Sequence, residues 1–162
     1  MIQKASLSQF SEIMAIYESA RTFMAQNGNP DQWGTAYPSE DMIRQDILNG
    51  KCYVNLSEEQ IQAVFYFAVE KDPTYGYIEG AWLNDEPYGV IHRIAVGESG
   101  KGVAAECFAF AENHCKNLRI DTHEKNIPMQ RCLAKNGFHR CGIISLEDGD
   151  PRIAYQKVIE NG

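Results

Sequence analysis

Tyr88-Gly-Val-Ile-His-Arg-Ile-Ala-Val-Gly-Glu-Ser-Gly-Lys-Gly-Val-Ala-Ala-Glu-Cys-Phe-Ala-Phe-Ala111 is the stretch that decides how this chain is read. Val90 to Val96 is a β-branched and apolar run, Gly97, Gly100 and Gly102 break it, and Val103, Cys107, Phe108 and Ala111 resume at helical spacing. The pattern is strand, glycine turn, helix. Such a junction gathers unpaired backbone N–H groups and the positive end of a helix dipole at one point, which suits a phosphate.

Composition bounds what that phosphate belongs to. The 162 residues fit one domain, residues 1–162, with 44% hydrophobic and 23% charged residues, as in an ordinary globular protein. A net charge of -7 with a pI near 5.1 argues against a nucleic-acid partner and suits a cationic amine. Cys52, Cys107, Cys115, Cys132 and Cys141 are odd in number and form no Cys-x-x-Cys pair, so they read as reduced thiols. No leader pattern and no membrane-length apolar run is seen, so the expectation is a cytoplasmic protein with neither membrane nor metal.

Upstream of the central stretch, Ile2 to Ala5 is a short strand and Ser6-Leu-Ser-Gln9 has capping-box spacing for a helix running to about Gln26. The loop Asp31-Gln-Trp-Gly-Thr-Ala-Tyr-Pro38 carries two large aromatics, for which packing on the core is expected ahead of substrate contact. Ser39 caps a second helix that ends at Gly50. Lys51 to Leu56 and Ile61 to Val69 form a hairpin around Ser57-Glu-Glu-Gln60, and Tyr77 to Leu83 has no clear period.

Downstream, Asn117 stops the helix and Leu118 to His123 is a strand. Asn126 then caps a helix closed by Gly137, and Phe138 to Leu146 pairs with Arg152 to Ile159. The predicted order is β-α-α-β-β-β-α-β-α-β-β, an α/β fold with helices on both faces of a mixed sheet.

Two phosphate loops are excluded. Lys101 is followed by Gly102 rather than Ser or Thr, so there is no P-loop, and the glycine spacing is not the dinucleotide fingerprint. The loop Ser99-Gly-Lys-Gly-Val-Ala104 instead resembles the Gln/Arg-x-x-Gly-x-Gly/Ala loop of the GNAT superfamily of acyl-CoA-dependent N-acyltransferases. Asn126 and Lys135-Asn-Gly-Phe138 match that family's Asn loop and its later Gly-Phe, on the same element order. The resemblance implies a GNAT-like fold with a mixed, mostly antiparallel central sheet, and acetyl-CoA as co-substrate. It places the pyrophosphate on Ser99, Gly100, Lys101, Gly102, Val103 and Ala104, with Ile94, Ala95, Val96 and Asn126 also at the cofactor. Ser99 departs from the family's usual Arg or Gln.

In this family the amine attacks the thioester directly, so no cysteine nucleophile is needed. His92, on the central strand, is the first candidate for the base that removes the ammonium proton, with Asp121 and His123 beside it and Glu79 as a further alternative. Strict alternation puts Val90, His92 and Ile94 on one face and Ile91, Arg93 and Ala95 on the other. Where many members carry a proton-donating tyrosine, this chain has Leu133. The implied activity is acetyl transfer to a primary amine of a small metabolite or amino acid. Acetylation of a protein N-terminus or lysine, and a non-catalytic acyl-CoA-binding domain, are the alternatives, and monomer and homodimer both stay open.

Overall fold

Gly89–Val96, the strand of that central stretch, lies near the middle of an eight-stranded sheet in the computed structural model, which describes residues 1–97 and 102–160. The elements in chain order are β1 (Ile2–Lys4), α1 (Phe10–Gln26), α2 (Glu40–Leu48), β2 (Cys52–Ser57), β3 (Gln60–Val69) and β4 (Glu79–Gly80). They continue with β5 (Gly89–Val96), α3 (Val103–His114), β6 (Asn117–Thr122), α4 (Ile127–Lys135), β7 (His139–Ser145) and β8 (Pro151–Val158). Single 3-10 turns occupy Leu7–Gln9 and Pro73–Tyr75. Across the sheet the order is β1-β2-β3-β5-β6-β8-β7-β4, antiparallel throughout except for β5 with β6.

This is the expected mixed, mostly antiparallel sheet flanked by helices, with one addition. The segment without a clear period supplies β4, a two-residue edge strand in which Glu79 pairs with Ile143. The hairpin is also tighter than expected. Its ladder reaches Ser57 and Gln60, leaving Glu58 and Glu59 as a two-residue turn with φ of 51° and 67°.

Local signals operate where the residues place them. The Ser6 N–H donates to Gln9 Oε1 at 2.9 Å, Ser39 Oγ accepts from the Met42 N–H, and Gly137 closes α4 at a φ of 84°. α3 packs Cys107, Phe108 and Ala111 on one face of the sheet against Phe65, Ile91, Ile94 and Leu118. On the other face α1 and α2 bury Ile13, Tyr17 and Ile43 against Val54, Val64 and Ala95. Each large apolar side chain buried this way contributes roughly 1.5–3 kcal/mol.

Strict alternation along β5 does not hold. Tyr66 pairs with His92 but Val64 with Ala95, so Phe65 alone stands opposite Arg93 and Ile94. This is a β-bulge, and Arg93 takes it up with a φ of 51°. The extra residue returns Ile94 to the face of Ile91, while His92 and Arg93 both meet the Tyr66 ring on the opposite face.

A second irregularity sits next to the first. β5 and β6 pair only at Gly89 with Leu118 and Val90 with Arg119, after which the two parallel strands part. Gly89 permits this close start, because a Cβ there would lie 2.7 Å from the Phe67 ring and 3.1 Å from Leu118. Gly89→Ala is expected to destabilise the protein by about 1–3 kcal/mol through overpacking, read as a lower denaturation midpoint.

Candidate active site

The wedge between β5 and β6 opens into two cavities that share Met24, Ile94, Asn126 and Met129 as walls. The larger, about 1180 Å³, runs along one side of α1 to the end of β5, the start of α3 and the start of α4. Ile94, Ala95, Val96, Ala104 and Asn126 line it. At its α3 end Gly102 is the N-cap, at a φ of 77° that glycine adopts without strain, and among the described residues no side chain caps the helix. A helix start of this kind, at Val103 and Ala104, presents backbone N–H groups and the positive end of the helix dipole, which suit an anion. Ser99, Gly100 and Lys101 lie outside the described residues.

Asn126 serves mainly as a brace. Its Oδ1 caps the Met129 N–H at 3.1 Å and its Nδ2 donates to Gln32 Oε1 at 2.9 Å. Gln32 belongs to the aromatic loop, whose backbone carbonyl at that residue also accepts from Arg152 Nη2 at 3.1 Å. The loop packs on the core as expected, and it also faces a cavity. Trp33 packs on Tyr17 at 5.7 Å between ring centroids, and both Trp33 and Tyr37 line the smaller cavity.

That smaller cavity, about 730 Å³, holds His92 and Asp121 together. His92 Nε2 lies 2.7 Å from Asp72 Oδ2. Asp72 Oδ1 accepts from the Thr74 N–H at 2.8 Å and the Thr74 hydroxyl at 2.6 Å, and the Asp72 N–H donates to Tyr88 Oη at 2.7 Å. Burial alone raises the Asp72 pKa, but the hydrogen bonds from His92 and Thr74 outweigh it and bring the carboxyl down to about 2. Asp121 accepts the hydroxyl of buried Tyr75 at 2.7 Å. Here burial prevails, and the Asp121 pKa is raised despite the opposing effects of nearby His92 and the Tyr75 bond.

The direction for Asp72 fixes a stability trend. A carboxyl held below its unfolded value stabilises the fold above about pH 4 and loses that stabilisation as pH falls through about 2. The difference amounts to about 2 kcal/mol. Denaturant titrations between pH 5 and pH 2 are expected to show this loss in the wild type and a shallower one in Asp72→Asn.

Arg93 anchors the bulge. Its guanidinium donates to both carboxylate oxygens of Asp46 at 3.0 and 3.1 Å and to Tyr37 Oη at 3.0 Å, while its carbonyl accepts the Tyr17 hydroxyl at 2.8 Å. The cavity is acidic overall: Asp31, Asp72, Asp121, Glu147, Asp148 and Asp150 line it, against Arg93, spoken for by Asp46, and Arg152, which donates to backbone carbonyls and pairs with Asp150 at 3.9 Å. Such a wall favours a cation.

The other candidates fall elsewhere. His123 is buried with Nδ1 accepting the Lys125 N–H at 3.0 Å, its pKa is lowered first by burial and then by Arg152, and it lines neither cavity. Glu79 is exposed on β4 and lines neither. Leu133 is fully buried in the core beneath α3. Burial raises the Cys52 and Cys107 thiols to about 12, so neither is a ready nucleophile. Among the described residues no group of three or more His, Cys, Asp or Glu side chains could hold a metal ion, and no helix is long and apolar enough to cross a membrane.

Comparison with known proteins decides the family. The sequence model described as the acetyltransferase (GNAT) family matches residues 16–138, well over half of the chain. The chain belongs to the GNAT acetyltransferase family. Among solved structures it is similar to a GNAT-family acetyltransferase from Streptococcus agalactiae, with 33% identity over 99% of this chain and 96% of that one and a TM-score of 0.91. A GNAT-family acetyltransferase from Listeria monocytogenes shares the fold at 18% identity, covering 98% of this chain and 94% of that one with a TM-score of 0.71. So does the chain matched in the NatC complex bound to Gag peptide and CoA, at 13% identity, 99% and 98% coverage and a TM-score of 0.63. No curated protein matches the sequence.

The family uses acetyl-CoA. The larger cavity has apolar walls and reaches the glycine-led start of α3. The sequence reading misses Asp72, Tyr75, Asp46 and Arg93 as parts of the site. For Asp72 a signal existed, since Asp-Pro-Thr is an Asx-turn sequence, but nothing in it says that the turn faces His92.

Proposed function

We propose that this GNAT enzyme transfers an acetyl group from acetyl-CoA to the primary amine of a small metabolite or amino acid by direct attack. The observation that carries the reading is the placement of His92 in an acidic cavity, walled in part by Trp33 and Tyr37, that shares a wall with the larger cavity. A cavity of this size suits a small acceptor.

Bound acetyl-CoA supplies a thioester carbonyl as electrophile and a thiolate as leaving group. Its pyrophosphate is assigned to the start of α3 at Gly102, Val103 and Ala104, together with Ser99, Gly100 and Lys101. Ile94, Ala95 and Val96 line the arm, and Asn126 shapes the passage to the acceptor side.

On that side the carboxylates draw in the ammonium, with Asp72 and Asp121 lining the same cavity as His92. His92 takes one proton from the ammonium, freeing the nitrogen lone pair. The C–N bond then forms and the C–S bond breaks. The second nitrogen proton compensates the thiolate, so the products are amide and thiol with one proton left on the base. No tyrosine stands at position 133, and water is assigned the final proton delivery. The protein is read as cytoplasmic.

The test is thiol release from acetyl-CoA with a panel of small amines and amino acids, set beside short peptides with free N-termini or lysines. Turnover with a small amine and an N-acetylated product by mass is the expected result. Turnover confined to peptides would replace the acceptor class, and acetyl-CoA binding without turnover on any amine would favour a non-catalytic acyl-CoA-binding domain.

A further inference from the structure

We infer that Asp72 is the positioning residue for His92, accepting the Nε2 proton so that Nδ1 becomes the basic atom offered to the acceptor. The inference rests on the reading of His92 as the base in amine acetylation.

The geometry runs through three fixed groups. His92 Nε2 and Asp72 Oδ2 are 2.7 Å apart, with Asp72 almost buried and His92 partly open to the cavity. The other carboxylate oxygen cannot swing away, because Thr74 holds it with both its N–H and its hydroxyl. The Asp72 backbone is tied in turn to Tyr88 Oη, and Pro73 sets the 3-10 turn that follows. Two rings confine the imidazole, Tyr66 at 5.6 Å and Tyr75 at 6.2 Å between centroids.

The proton assignment follows. A carboxylate accepting two hydrogen bonds on one oxygen is an acceptor, so the Nε2–H donates to it. The neutral ring then carries its lone pair on Nδ1, which has no hydrogen-bond partner among the described residues. Once Nδ1 takes the ammonium proton, the imidazolium sits beside a fixed negative charge that stabilises it. Asp72 itself gives up and gains no proton. It touches neither acceptor nor thioester, and acts through the histidine.

Two measurements on the full chain test this. In proton–nitrogen NMR of the wild type, a slowly exchanging, far-downfield ring N–H signal is expected, assigned to His92 by its loss in His92→Gln. Asp72→Asn, which keeps the side chain's size, is expected to move it upfield. Absence of that signal in the folded wild type, or its persistence unchanged in Asp72→Asn, would overturn the inference whether or not the protein turns over any amine.

In kinetics, Asp72→Asn is expected to lower kcat/KM for the amine by at least about tenfold, part of the 10²–10⁴-fold that general acid–base catalysis supplies. The loss should fall on turnover of the amine, with KM for acetyl-CoA unchanged. A merely structural role would weaken acetyl-CoA binding as well and would leave the ring N–H signal in place. Wild-type kinetics in Asp72→Asn alongside an impaired His92→Gln would overturn the positioning role alone. Unimpaired His92→Gln would overturn the base reading, and the ring signal would still decide whether Asp72 holds the proton.

Discussion

His92→Gln is expected to lower kcat/KM for amine acetylation by about 10²–10⁴-fold, the range that a positioned proton acceptor contributes. Glutamine fills similar space and retains hydrogen-bonding atoms, so it preserves the wall while removing the basic ring nitrogen. His92 lines the smaller cavity and not the larger one, so acetyl-CoA affinity is expected to stay at the wild-type value. The measurement is steady-state thiol release over a range of pH, with calorimetry for acetyl-CoA. A variant that keeps the wild-type rate removes His92 as the base. Asp121 would then be the remaining titratable group of the sequence-derived candidates on that cavity, and its raised pKa, due first to burial, would place it as the next variant to make.

The second large effect is on stability. Asp46→Ala removes the carboxylate that accepts from both Nε and Nη2 along one edge of the Arg93 guanidinium, and both side chains of that pair are about nine-tenths buried. Breaking a buried pair by deleting one partner costs about 3–5 kcal/mol, because the surviving charge stays desolvated. Tyr37 can offer Arg93 one hydrogen bond in compensation. Chemical denaturation should therefore show a large loss in Asp46→Ala. Asp46→Leu combined with Arg93→Met should recover most of it, since no charge is then left unpaired. A loss under about 1 kcal/mol in the single variant would mean that water reaches the guanidinium and that the pair does not anchor the bulge.

Arg93 also shows where sequence reasoning stops. The strand, glycine turn and helix were legible because hydrophobic period, glycine and capping residues are local signals, and Ser39, Asn126 and Gly137 act where those signals place them. The bulge was not legible. Val-Ile-His-Arg-Ile-Ala-Val reads as an even strand, and the shift between Val64 and Tyr66 arises from a partner far away in the chain. One displaced residue moved Arg93 onto the face of His92 and Ile94 off it, which is how a period of two fails.

The candidate site divides in the same way. Ala95, Val96 and Ala104 fall on one cavity, His92 and Asp121 on the other and Ile94 between them, because these positions follow from elements whose family order was recognisable. His123 was adjacent to Asp121 in sequence but lies past the end of β6, where its ring closes a local turn to Lys125 instead. Asp72 contacts His92 across a separation of twenty residues, and no spacing rule connects a surface-type Asp-Pro-Thr turn to a strand histidine. Such contacts are set by how the loop before β4 folds back over the sheet.

A crystal structure of the acetyl-CoA complex would test the central claim most directly, through the position of the thioester relative to His92. The account predicts the pyrophosphate at the start of α3 and the acyl group at the passage formed by Met24, Ile94, Asn126 and Met129. The His92 Nδ1 should then lie within direct or single-water reach of an amine placed on the carbonyl carbon. A thioester that opens away from the smaller cavity, leaving His92 and Asp121 without access to its carbonyl, would contradict it.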